Sequence, residues 1–185
     1  MGVRHWGHDV DVSQVAAQLA RAPAVLNALV GPLPQAWLDA TEGPGTWSPI
    51  QVVRHMAWCE VDDWIPRARI ILEHGARVPF TPFDREGGES RFGHLPIGAL
   101  LDEFARLRSQ NLETLEQFAL GPETLGLEGR HPELGRVTLA QLLATWVAHD
   151  LSHITQITRT LTRQHRDAVG PWRRYMRLLS DDAAV

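Results

Sequence analysis

The chain of 185 residues has one cysteine, one tyrosine and no apolar run long enough to cross a bilayer. A lone thiol, Cys59, can form no intrachain disulfide, which fits a reducing compartment. The opening stretch MGVRHWGHDVDV lacks the apolar segment of a secretory signal. Together these features predict a cytoplasmic protein without a membrane partner. Basic charge is also scarce: 18 Lys and Arg stand against 22 Asp and Glu, for a net charge of −4. Nucleic-acid binding draws on a basic face, so no nucleic-acid partner is expected. Internal repeats, low-complexity tracts and clear strand alternation are missing as well. What is abundant is histidine, with nine, and tryptophan, with seven, in a chain that is 44% hydrophobic. That is enough apolar material for one domain, taken as residues 1–185, with a substantial core.

Four segments carry helical periodicity. The first runs from about Ser13 to Val30, with Val15, Leu19, Val25, Leu26 and Leu29 at apolar spacing. Pro23 inside it predicts a kink or a restart. The second opens on TWSPIQ, where Ser48, Pro49 and Gln51 form a capping box with proline at the first helical position. It should reach about Glu73 and bend at Pro66, which cannot donate to the Asp62 carbonyl. Residues 76–95 form a long connection containing Phe80, Phe83 and Phe92, which favour an ordered loop packed over the bundle. The third helix spans about Pro96 to Phe118. The fourth begins after a second capping box, Thr138 and Gln141, and a short amphipathic piece, PWRRYMRLL, closes the chain. Four long helices without strands predict an all-α four-helix bundle with a short C-terminal helix.

On the fourth helix the stretch HDLSH places His149 and His153 one turn apart, on the flank of a stripe formed by Leu139, Leu143, Trp146, Asp150, Ile157 and Leu161. Gln156 lies beside them. Two imidazoles at this spacing can converge on one point, but a metal usually takes a third protein ligand. His5, His8, His55, His74, His94, His131 and His165 are the candidates. His55 stands out, early in a well-capped helix and roughly 140° around the wheel from its apolar stripe. Gln51, Trp58, Cys59 and Asp62 share that second face. The spacing alone suits a metal ligand at a helix seam and an exposed residue equally. Cys59, one turn beyond His55, reads first as a small packed residue and second as a substitute or extra ligand.

PGTWSPIQVVRHMAW, followed by GRHPELGRVTLAQLLATWVAHDLSHITQITR, resembles the DinB-like (YfiT-type) superfamily. The first stretch carries the tryptophan-serine helix start with a histidine seven residues beyond the serine. The second carries HxxxHxxQ on the last long helix. The resemblance covers nearly the whole chain. It implies an up-down-down-up four-helix bundle and one divalent metal ion, with His55, His149 and His153 as ligands. It also allows a homodimer.

Three neutral imidazoles leave coordination positions open, as in catalytic rather than structural sites. Zinc, nickel, manganese and iron all suit such ligands, with zinc or nickel favoured. HDLSH also resembles the HExxH helix of zinc proteases, but Asp150 is a methylene shorter and falls on the apolar stripe. Asp150, Gln51 and Gln156 are candidates for supporting the ligands or touching substrate. Through the resemblance, the leading expectation is S-transfer from a low-molecular-weight thiol (bacillithiol, mycothiol or glutathione) to a small electrophile. The alternatives are metal-assisted hydrolysis and a metal-binding stress or interaction protein without turnover.

Overall fold

The computed structural model describes residues 10–179, and four long helical segments carry the fold. The first segment is two helices, α1 (Val12–Leu19) and α2 (Ala22–Val30). Asp11 caps α1 by accepting from the Ser13 and Gln14 amides. The expected interruption falls at Ala20 and Arg21, which leaves Pro23 in the first turn of α2, where its missing N–H costs nothing. A single turn, α3 (Gln35–Leu38), follows.

The second segment also divides, into α4 (Pro49–Asp62) and α5 (Trp64–His74). Asp63 departs from helical geometry (φ −110°, ψ −74°), three residues ahead of Pro66. Without an N–H at Pro66 the ladder loses the bond to Asp62, and the backbone yields there. The predicted bend is thus a break. After α6 (Gly87–Phe92), the third helix is one unbroken rod, α7 (Ile97–Gln117).

A one-turn helix, α8 (Pro122–Leu125), leads into a feature absent from the sequence expectation. β1 (Glu128–His131) pairs antiparallel with β2 (Gly135–Thr138), in a register that sets Glu128 opposite Thr138. EGRH and GRVT are too short and too polar to show strand alternation. Gly129 is required in β1, because a Cβ there would come within 2.6 Å of the Phe80 ring. The fourth helix, α9 (Leu139–Arg163), starts at the Thr138–Gln141 capping box. The short C-terminal helix forms as two 3-10 segments, Gly170–Tyr175 and Arg177–Leu179.

Contacts fix the helix directions. Arg54 reaches Glu89 and Gly93, just ahead of α7, while Glu60 meets Arg108 and Asn111, so residue numbers on α4 and α7 climb together. Cys59 and Glu60 meet His149 and Trp146, whereas Trp47 lies over His153, so α4 and α9 run oppositely. Val15 and Leu19 share a cluster with Leu143 and Trp146, while Leu26 and Val30 share one with Ile157, so the first and last segments are parallel. The result is an up-down-down-up bundle. Residues 76–95 must retrace the bundle between two parallel helices, which accounts for their length.

Two apolar clusters fill the interior. One holds Leu26, Val53, Met56, Phe104 and Ile157, the other Leu19, Trp64, Ile71, Leu115, Leu143 and Trp146. On α4, α7 and α9 the changeover between clusters falls at residues 57–59, 107–112 and 146–157. That polar layer contains His55, Glu60, Arg108, His149, Asp150 and His153.

Candidate metal centre

His55 on α4 and His149 and His153 on α9 meet across the antiparallel seam. His149 Nε2 lies 3.1 Å from His55 Nε2 and 3.1 Å from His153 Nε2. The ring centroids of the three are 4.3–5.2 Å apart. Cys59, one turn beyond His55, brings Sγ to 3.5 Å from His55 Nε2 and 3.9 Å from His149 Nε2. Each helix therefore supplies a pair of donors at i and i+4 on the face toward the other.

Burial holds the imidazoles neutral. His149 is pushed down to about 2, first by desolvation and then by the neighbouring histidines and Arg108. His55 is pushed down to about 4, mainly by burial, with His153 and Arg85 adding to it. His153 is lowered by burial, partly offset by its bond to Gln156. Neutral imidazole is the form that ligates metals.

The hydrogen bonding leaves this cluster incomplete by itself. Gln156 Oε1 faces His153 Nδ1 at 2.9 Å, so an Nδ1–H donates outward and His153 Nε2 keeps a bare lone pair directed inward. His149 Nε2 has two imidazole nitrogens at contact distance and can donate to only one of them. His149 Nδ1 is buried without a partner. Two nitrogens held by one ion at ~2.0–2.1 Å, with an angle between square and tetrahedral, stand ~2.8–3.4 Å apart. The observed 3.1 Å separations lie within that span. The His55–His149 and His149–His153 pairs therefore each fit a shared divalent transition ion, and the donors that lie within 4.8 Å of one another as a group are His55, Cys59 and His149.

Aromatic side chains wall the centre. Trp47 packs on His55 at 4.9 Å and stacks at 21° with His153. Trp64 sets His149 edge-on at 5.1 Å, and Phe83 sets His55 edge-on at 5.6 Å. Phe83 belongs to the 76–95 connection, which is ordered as expected and helps frame the cleft. Trp58 Nε1 donates to the Asp84 carbonyl, and Gly87 sits so close that a Cβ would fall 2.2 Å from the Trp58 ring. Gly87→Ala should therefore lift this connection off the bundle. We expect a loss of ~1–3 kcal/mol in urea unfolding and faster proteolysis within residues 76–95.

The three supporting candidates part ways. Gln156 contacts His153 directly. Gln51 is exposed, and its Oε1 accepts from the Ser48 amide at 2.9 Å, which serves the helix cap. Asp150 is 5% exposed and turned to Arg108, with oxygens 2.6 and 3.1 Å from its guanidinium. The HExxH analogy fails for that reason: the carboxylate between the two histidines is committed to an ion pair. Among the other histidines, His131 Nδ1 accepts from the Glu133 and Leu134 amides in the hairpin turn, His74 and His94 are exposed, and His165 packs on Trp37. His5 and His8 lie outside the described residues.

Sequence reasoning missed two parts of this region. Trp64 was visible only as part of a high tryptophan count, and Trp47 only as the residue before the Ser48 cap, with nothing to place its ring on the histidines. Arg108, with Glu60, is an interior charge cluster that no linear motif marks.

The family model for the DinB superfamily matches residues 18–157. The chain belongs to the DinB superfamily. Among curated relatives, this DinB protein is 23% identical over 157 residues to the Oceanobacillus iheyensis protein named "Putative metal-dependent hydrolase OB0782", covering 84% of this chain and 89% of that one. Its fold matches that of YfiT from Bacillus subtilis with a TM-score of 0.73 and 22% identity, over 89% of this chain and 93% of the other. YfiT is described as "a probable metal-dependent hydrolase with an unusual four-helix bundle topology". TT2238, a four-helix bundle protein, matches with a TM-score of 0.57 and 21% identity, over 80% of this chain and 98% of its own.

Proposed function

We propose that this DinB protein is a metal-dependent enzyme whose His55, His149 and His153 hold one divalent ion and which transfers a small thiol to an electrophile. The observation that carries the reading is the convergence of three imidazole nitrogens, all neutral, on one aromatic-walled cleft. The relatives named as metal-dependent hydrolases support metal dependence in general and keep hydrolysis as the second reading.

A bound divalent ion with only neutral ligands would supply positive charge that favours the anionic form of an incoming nucleophile. The chain's own residues do the rest. Gln156 fixes the His153 ring and its tautomer. Trp47 and Phe83 exclude water from the His55 side and offer flat apolar surface to an electrophile. The nearby buried carboxylates are engaged elsewhere: Asp150 and Glu60 with Arg108, and Asp63 with Arg67. None of the hydrogen bonds made by the three imidazoles goes to a carboxylate among the described residues. That arrangement favours a nucleophile that needs only to lose its own acidic proton. A thiol with pKa ~8.5 meets that requirement more readily than water.

Purified protein should carry about one divalent ion per chain by elemental analysis. With zinc, nickel, manganese or iron loaded in turn, glutathione, bacillithiol or mycothiol should be consumed with a small electrophile ~100-fold or more above the metal-free rate. Thiol-independent ester or amide hydrolysis would favour the second reading. Metal binding without either activity would leave a metal-binding module.

A further inference from the structure

We propose that Cys59 Sγ is itself a metal ligand, so that the centre offers sulfur as well as nitrogen and selects a borderline ion such as zinc or cobalt(II). This rests on the reading that the centre holds a divalent ion, and it departs from an all-imidazole site.

The geometry is that of a shared coordination sphere. His55, Cys59 and His149 each place one donor atom so that all lie within 4.8 Å of one another, and His153 stands outside that group. Metal–sulfur bonds of ~2.3 Å and metal–nitrogen bonds of ~2.0–2.1 Å at tetrahedral angles give sulfur–nitrogen separations of ~3.6 Å. Sγ stands 3.5 Å from His55 Nε2, 3.9 Å from His149 Nε2 and 4.0 Å from His55 Nδ1, so the separations to the two Nε2 atoms bracket that value while Sγ lies beside the His55 ring, which must turn toward the ion for both to bind it. Cys59 repeats on α4 the one-turn donor spacing that His149 and His153 make on α9. His55 and His149 are thus common to two overlapping donor sets, one completed by His153 and the other by Cys59.

Ligation exchanges the S–H bond for a metal–sulfur bond and releases the proton to buffer. A thiolate ligand changes both selectivity and chemistry. Sulfur disfavours manganese and magnesium relative to zinc and cobalt(II). It also lowers the net charge of the centre from +2 to +1, which weakens the pull on an anionic nucleophile relative to three imidazoles alone.

Cobalt(II) added to the full-length protein tests this directly. Wild type should bind one cobalt per chain and show a near-ultraviolet thiolate-to-cobalt charge-transfer band. Cys59→Ser and Cys59→Ala should lose the band while keeping their helical circular dichroism, and should bind cobalt at least ~10–100-fold more weakly. His153→Ala should keep the band. Cobalt bound at full affinity in both Cys59 variants, with no sulfur band in wild type, would overturn the proposal and leave the thiol as a hydrogen-bond donor to His55. The imidazole centre would survive that outcome. Failure of wild type to bind cobalt or zinc at all would overturn the centre and the sulfur ligand together.

Discussion

His149→Ala should abolish metal binding while leaving the metal-free protein as stable as wild type, or more so. His149 Nε2 is the hub of the cluster, 3.1 Å from both other imidazoles and 3.9 Å from Cys59 Sγ. Removing it separates the donors of α4 from that of His153. Loss of a donor common to every pairing should weaken binding well beyond the ~10–100-fold cost of losing a supporting residue. The stability result follows from the same contacts. Without an ion, the ring is a buried polar group with Nδ1 unpartnered and Nε2 able to donate to only one of the two nitrogens it faces. Its removal deletes a desolvation cost of about the same size as the packing it contributes against Trp64. Thermal melts separate the two effects. Free metal at a hundredfold excess over Kd adds ~2.7 kcal/mol, which raises wild-type Tm by roughly 5–11 °C and should leave His149→Ala unmoved. An equal metal-induced rise in both proteins would remove His149 from the centre.

The parts of this molecule written in local sequence were legible, and the parts written in long-range contacts were not. Ser48–Gln51 and Thr138–Gln141 are four-residue devices that need no tertiary context, and both caps form as expected. The i and i+4 pair in HDLSH is equally local, and the helix wheel placed Asp150 on the buried stripe, where it is 5% exposed. Pro66 announced a disturbance, but whether the helix bends or breaks depends on packing around Asp63, and it breaks. The β1–β2 hairpin escaped because its stability comes from Phe80 and Ile71 closing on Gly129, contacts distant in sequence. Phe83 illustrates the limit: composition marked the 76–95 connection as packed, but nothing local says that its ring meets His55 edge-on. Cys59 illustrates it again. Its spacing from His55 allowed two roles, and only the fold shows Sγ facing His149 from the opposite helix.

Arg108→Met should be the most destabilising substitution in the bundle. Arg108 is 1% exposed and ties together all four helical segments. Its guanidinium donates to the Leu19 carbonyl at the end of α1, to Glu60 on α4 and to both oxygens of Asp150 on α9. Glu60 in turn accepts from Trp146 Nε1 at 3.0 Å and from Asn111 Nδ2 at 3.0 Å. Phe104 and Trp146 pack against the cation at 4.9 and 5.3 Å. Burial works against the charged guanidinium, but Glu60 and Asp150 outweigh it and hold its proton more firmly than usual. Burial likewise pushes the Asp150 carboxyl upward, with Arg108 partly offsetting it. Methionine keeps the apolar volume and removes the cation that pairs with two buried carboxylates, leaving Glu60 only the neutral donors Trp146 and Asn111. Breaking a buried pair in this way costs ~3–5 kcal/mol, or roughly 6–20 °C in Tm for a domain of this size. The pH dependence distinguishes this cause from a packing defect. In the variant the Asp150 carboxyl, which burial already pushes upward, loses the offset from Arg108 and lies above its unfolded ~4, so the penalty is absent below pH ~4 and grows as pH rises. Urea unfolding should therefore show a wild-type advantage that is largest near pH 7 and shrinks toward pH 4. Adding Glu60→Gln and Asp150→Asn to Arg108→Met should recover part of the loss at neutral pH, because the charges that needed an arginine are gone. A deficit that stays constant with pH and survives the triple substitution would assign Arg108 to shape rather than charge.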